Sequence, residues 1–114
     1  MFVYTSIFAK IYDSMVAERK LYPEDFEELE QSLLENIEIG DVIPGMGGLR
    51  KVRLKSATKG KRGGFRIDYL DFPKAGITYF VVLYPKNIKD DLTASEKKII
   101  LTMINIIKKG VKYE

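Results

Sequence analysis

The run from Ile77 to Tyr84 is almost wholly apolar or aromatic, and it limits the possible folds more than any other stretch of the chain. A strand with one face in water alternates polar and apolar residues. This run does not, so it reads as the central strand of a sheet, covered on both faces. The segments before it do alternate. Phe65 to Phe72 places Ile67 and Tyr69 on one face and Arg66 and Asp68 on the other, and Pro73 to Gly76 is a turn leading into the central run. Upstream, Leu49 to Lys55 directs Val52 and Leu54 one way and Lys51, Arg53 and Lys55 the other, with Thr58 to Gly64 as a turn or loop between the two strands.

Helical signals flank these strands. After a short strand from Phe2 to Thr5, the positions Ile7, Phe8, Ile11, Tyr12 and Met15 recur at helical spacing, predicting a helix capped by Ser6 and ending near Val16. A second helix starts at Pro23, carries Glu24, Asp25, Glu27 and Glu28 where the helix dipole favours acids, shows Phe26, Leu29, Leu33 and Ile37 on one face, and stops at Gly40. The last helix opens with Thr93 and Glu96 as a capping box and runs through Ile99, Ile100, Met103, Ile106 and Ile107 to Gly110. The order β-α-α-β-β-β-α defines a single α+β domain over residues 1–114, with a small, mainly antiparallel sheet, an N-terminal helical hairpin and a C-terminal helix. The expected arrangement puts the helices on one face and leaves the other partly open.

That open face is where charge accumulates. From Val42 to Ile67 there are eight Lys and Arg residues, six glycines and no acid. Residues 1–41 hold ten acids against three bases and residues 68–114 hold six against eight, so the net +3 divides as −7, +8 and +2. Such a concentrated cationic segment suits a polyanion. The chain has no cysteine and no histidine, which removes disulfides, thiolate and imidazole metal ligands, and the commonest base at neutral pH. No cofactor is expected, and any chemistry must come from Lys, Arg, Tyr or carboxylates. With no apolar run near the ~20 residues of a membrane span and no signal-peptide pattern, a soluble cytoplasmic protein with no membrane association is expected.

Four blocks carry a family likeness: Gly45-Met46-Gly47-Gly48-Leu49-Arg50-Lys51-Val52-Arg53; Lys59-Gly60-Lys61-Arg62-Gly63-Gly64-Phe65-Arg66; Tyr84-Pro85-Lys86-Asn87; and Asp90-Asp91-Leu92-Thr93. In this order and spacing the chain resembles the HigB branch of the RelE-type toxins of bacterial type II toxin-antitoxin systems, over essentially its whole length. The resemblance implies a RelE-like fold and a ribosome-dependent mRNA endonuclease that cuts translated message in the A site. It also implies a neutralising antitoxin, HigA-like, of helix-turn-helix type and encoded adjacently, through which alone operator DNA would be met.

The chemistry can be weighed beside that likeness. Metal-independent RNA cleavage needs a proton taken from the 2′-hydroxyl, charge stabilisation at the phosphorane and a proton for the leaving 5′-oxygen. By resemblance, Lys51 and Arg53 flank the scissile phosphate, Arg66 stabilises the transition state and Lys61 joins them from the loop, these four being the catalytic set. Arg50, Lys55, Lys59, Arg62, Tyr84, Lys86 and Asn87 form the substrate-binding set, with no metal ligand among them. Lys51 is the first choice as base, on the expectation that Arg50, Arg53 and Arg66 crowd it with like charge. The chain departs from the family pattern where better-studied relatives carry Arg in place of Asn87, and it shows no clear equivalent of a C-terminal catalytic Tyr, since Tyr113 is too near the end.

Plainer readings stand beside these. Arg50 should point with Val52 toward the helices, where it pairs with an acid or contacts substrate. Lys55 and Lys59 suit backbone-phosphate or rRNA contacts. Tyr69 and Tyr79 suit the core, and Tyr84 suits either packing or base stacking. Gly45, Gly47 and Gly48 permit a tight turn or present amides to phosphate, and Asp90 and Asp91 favour a helix N-terminus. Two other functions compete with the nuclease: a ParE-like gyrase inhibitor of the same fold, and a non-catalytic RNA-binding or ribosome-binding module.

Overall fold

The computed structural model of the chain describes residues 1–54, 64–89 and 91–111. Its elements are β1 (Phe2–Tyr4), α1 (Ser6–Ala17), α2 (Pro23–Glu35), β2 (Asp41–Val42), β3 (Arg50–Leu54), β4 (Phe65–Phe72), β5 (Ile77–Pro85) and α3 (Ala94–Gly110). Five strands form one mixed sheet in the order β1-β5-β4-β3-β2, with β1 parallel to β5 and the other pairs antiparallel. The α+β class and the three expected helices are present. The two-residue strand β2 was not expected, being too short to leave a periodic signal.

The helices do not share one face, which corrects the arrangement expected from the sequence. One core joins Phe8 of α1 and Phe26, Leu29 and Leu33 of α2 to Leu54, Phe65, Ile67, Tyr69, Phe80 and Leu83 of the sheet. A second, on the opposite face, joins Ile100 and Ile104 of α3 to Leu70, Phe72, Val81, Val82 and Tyr84. The central run through β5 demanded cover on both sides, and α3 supplies the second cover. A register shift lies between Asp68 and Tyr69 of β4, where Asp68 pairs with Val82 and Tyr69 with Phe80. Val81 is thereby the extra residue of a bulge, and the change of parity lets Phe80 and Leu83 both face the hairpin.

Local details differ from the sequence expectations for identifiable reasons. The cap of α1 is Thr5, not Ser6: its hydroxyl accepts from Phe8 N at 3.1 Å and donates to Val81 O at 2.6 Å, tying helix start to sheet. Helix α2 begins at Pro23 as expected but ends at Glu35, leaving Ile37 and Gly40 in the following segment. Gly40 is required there by close approach. An added Cβ would stand 2.8 Å from both Cε1 and the hydroxyl of Tyr69 and 2.9 Å from Lys51 O. Helix α3 shows the expected capping box, with Glu96 N donating to Thr93 Oγ1 at 3.2 Å and Thr93 N to Glu96 Oε1 at 2.8 Å.

The glycine loop settles into a structural role. Gly45, Gly47 and Gly48 all have φ between 66° and 97°, and the loop folds back so that Ile43, Met46 and Leu49 enter the core beneath α3. Gly47 sits beside Ile104 and Lys108 of α3, so the loop packs on that helix.

Candidate functional site

The β3, β4 and β5 register places the sequence-predicted cations in two rungs on the α3 side of the sheet. Arg53 pairs with Arg66, and Arg66 with Tyr84; one step along, Lys51 pairs with Asp68, and Asp68 with Val82. Side chains directly opposite on an antiparallel pair have Cβ atoms ~4.5–5.5 Å apart. Two arginines in that relation bring positive charge to one place on the sheet, which suits an incoming anion. The Arg53 guanidinium also lies beside Gly64. Lys51 and Arg66 are partly exposed and Arg53 is exposed, so this corner of the face is reachable although α3 covers the rest.

Arg50 stands apart from these rungs. It lies on the hairpin side, where its guanidinium donates to Gly40 O at 2.7 Å and Glu38 O at 3.4 Å and stands 3.9 Å from the Glu38 carboxylate. The segment after α2 supplies that acid, not the helices themselves. Tyr69 belongs to the same cluster: its hydroxyl donates to Ile37 O at 2.6 Å and accepts from Gly40 N at 3.0 Å, a core role with every polar atom used. Tyr79 packs against the second core, edge-on to Phe72.

Tyr84 is buried, its ring in the second core with the Lys89 ammonium 5.5 Å from the ring centroid. It therefore borders the site from beneath and offers no open face for stacking. Lys86 and Asn87 follow in the turn after β5, Asn87 exposed and Lys86 held to Gly64 O through its backbone N–H at 2.9 Å. Lys55, Lys59, Lys61 and Arg62 fall outside the described residues, as do Asp90, Tyr113 and all of the turn or loop expected from Thr58 to Gly64 except Gly64 itself.

One residue in the middle of the cluster was not singled out in the sequence. Asp68 is fully buried, and among the described residues neither of its carboxylate oxygens has a hydrogen-bond partner; the Tyr84 hydroxyl beside it is likewise unpartnered. Burial is the main reason the Asp68 carboxyl is pushed up to about 7, with the negative charge of Asp91 adding to the effect and Lys51, Tyr84 and Arg66 opposing it. Burial also raises the Tyr84 phenol, and Asp68 and Asp91 reinforce that shift. A sequence signal for Asp68 did exist. It is an acid on a strand flanking the apolar run of β5, on a face which that run required to be covered.

Asp91 completes the rim. Its carboxylate lies 3.9 Å from the Lys51 ammonium and 3.5 Å from that of Lys97. Lys51 thus has two carboxylates as neighbours, Asp68 across the strand and Asp91 from the segment before α3, while Arg50 is on the far face. Of the three arginines expected to crowd Lys51, Arg53 and Arg66 share its face and Arg50 does not.

Two hollows lie on the hairpin side, and Arg53 lines the larger of them. One of about 420 Å³ is lined by Asp25, Glu28, Ser32, Val52 and Leu54 among others, and one of about 300 Å³ by Tyr4, Phe8, Tyr12, Phe26, Glu27 and Glu30 among others. Among the described residues there is no group of three or more metal-binding side chains, and no helix is long and apolar enough to cross a membrane. No family model matches the chain.

Proposed function

We propose that this chain is a cytoplasmic RNA-cleaving toxin of the HigB branch of the RelE type, acting on message held in the ribosomal A site and neutralised by an adjacently encoded antitoxin. The observation that carries this reading is the pair of rungs Arg53–Arg66 and Lys51–Asp68, which present three cations from two adjacent strands at one reachable corner of the sheet. A phosphate bound there would meet guanidinium groups suited to bidentate contact and to the charge that builds on a phosphorane. The order and spacing of the four sequence blocks support the same reading.

Purified protein added to ribosomes translating a defined message tests it, with the 5′ ends of the fragments mapped. Cuts confined to translated message are expected, and Arg66→Ala should slow them at least ~10²-fold. Intact message with the protein retained on ribosomes would replace the proposal with a non-catalytic RNA-binding role. Replication arrest preceding translation arrest after induction would select the gyrase inhibitor. The antitoxin is tested by co-expression: failure of the neighbouring gene product to co-purify would contradict that part.

A further inference from the structure

The smaller hollow on the hairpin side, of about 300 Å³, combines aromatic walls with an acidic rim. Its walls are Tyr4 of β1, Phe8 and Tyr12 of α1 and Phe26 of α2, with neighbouring ring centroids 5.2 to 6.2 Å apart. Tyr4, Phe8 and Tyr12 form a near-parallel row, at 27° and 18° between successive rings, and Phe26 is tilted against it. Phe8 and Phe26 belong to the core, but Tyr4 is 43% exposed and Tyr12 is partly exposed. Ring surface left in water is a cost that an occupant would remove.

Asp13, Glu27 and Glu30 complete the lining, which includes no Lys or Arg among the described residues. Glu30 is held in place by the hydrogen bond that its Oε2 accepts from the Tyr4 hydroxyl. Glu27 and Glu30 lie beyond the first turn of α2, where the helix dipole no longer accounts for them. Burial raises the Tyr12 phenol, and the charges of Glu30, Glu27, Asp13 and Glu24 raise it further, so the field at the rings is negative.

We propose that this hollow binds the guanidinium of an arginine side chain presented by a partner protein. Aromatic rings attract a cation through their faces, and carboxylates at the rim accept hydrogen bonds from the same group. A guanidinium suits the site better than an ammonium. It is planar, stacks on rings and is more weakly hydrated, so it gives up less on leaving water. The surroundings favour a polypeptide as its source. Residues 1–41 carry ten acids against three bases, which draws a basic surface to the hairpin and not a single charge alone. Leu34, 65% exposed, stands one turn beyond Glu30 on α2 and offers an apolar contact beside the charged one. The hollow shares no lining residue with the cation corner, so its occupancy does not depend on whether the protein cuts message.

The test is an NMR titration of the full chain that follows the ring signals of Tyr4 and Tyr12. Three probes are compared: a short blocked peptide with one central arginine flanked by leucines, the same peptide with citrulline, which keeps the shape and removes the charge, and methylguanidinium. The arginine peptide should shift both rings saturably and bind about 10-fold more tightly than the citrulline peptide. Tyr12→Leu should weaken it about 5-fold, and Glu27→Gln, a change at an exposed position, about 3-fold. Equal affinity for the arginine and citrulline peptides, or ring signals that neither moves, would overturn the proposal. Binding indifferent to both substitutions would do the same. Methylguanidinium bound as tightly as the arginine peptide would overturn the assignment to a polypeptide. A dimer of the chain alone, detected by sedimentation and lost in Glu27→Gln, would overturn the assignment to a different protein in favour of a second copy.

Discussion

The two faces of the sheet treat buried polar groups in opposite ways. On the hairpin face, Tyr69 is fully buried with its hydroxyl hydrogen-bonded twice, and Arg50 is spent on the carbonyl of Gly40 and the neighbouring Glu38. On the α3 face, Asp68 and the Tyr84 hydroxyl are buried without partners among the described residues, beside two arginines set directly opposite each other. An unpaired buried polar group costs ~1–3 kcal/mol and more when charged, so the second face gives up stability that the first retains. Such local losses gather where a protein binds or reacts. On the proposed reading the hairpin face holds the fold, and the α3 face carries the groups that would react.

The largest expected difference between the two faces depends on pH. The Asp68 carboxyl titrates near 7 in the fold against an ordinary value of 3.8, so between these limits the folded state binds more protons than the unfolded one. Stability therefore falls as pH rises from about 4 to about 7 and is lost no further above that, by up to roughly 4 kcal/mol in all. Asp68→Asn should consequently exceed the wild type by about 2–4 kcal/mol at pH 8 and match it near pH 4, as read from denaturant midpoints. An equal gap at both pH values would show that Asp68 is not held as described.

On the hairpin face the expected effect has the opposite sign. Gly40→Ala drives a methyl group into Tyr69 and the Lys51 carbonyl, and should cost about 3 kcal/mol at every pH. Tolerance of the alanine would mean that the segment after α2 is not clamped to the sheet. Arg50→Ala should be milder, losing about 2 kcal/mol through the Gly40 carbonyl it leaves without its donor. Loss of more than that would indicate that the Glu38 pair contributes as well, a point that a salt titration of the midpoint resolves.

The elements were largely legible in the sequence because they have strong local signals: period-two alternation in β3 and β4, Pro23 at the start of α2, and the Thr93–Glu96 capping box of α3. Which face each helix covers is not a local property. Only the unbroken apolar run of β5 reported on it, and it pointed correctly to cover on both sides. Thr5 displaced Ser6 as the cap because it also reaches Val81 O, a contact between residues far apart in sequence. At the candidate site, Lys51, Arg53 and Arg66 were legible as one face of a strand pair, since alternation alone predicts that. Asp68 was legible only as their neighbour. Its burial follows from α3 and from the segment bearing Asp91 and Leu92 closing over β4 and β5, and no strand periodicity contains that information.

On the proposed reading, chemistry belongs to the α3 face and not to the hairpin face. The most direct measurement is single-turnover cleavage of programmed ribosomes by Arg66→Ala and Arg50→Ala, two arginines on neighbouring strands pointing to opposite sides. Arg66→Ala should lose at least ~10²-fold in rate, while folded Arg50→Ala should stay within about two-fold of the wild type. Equal losses, or the reverse order, would contradict the assignment of the reactive groups to the α3 face.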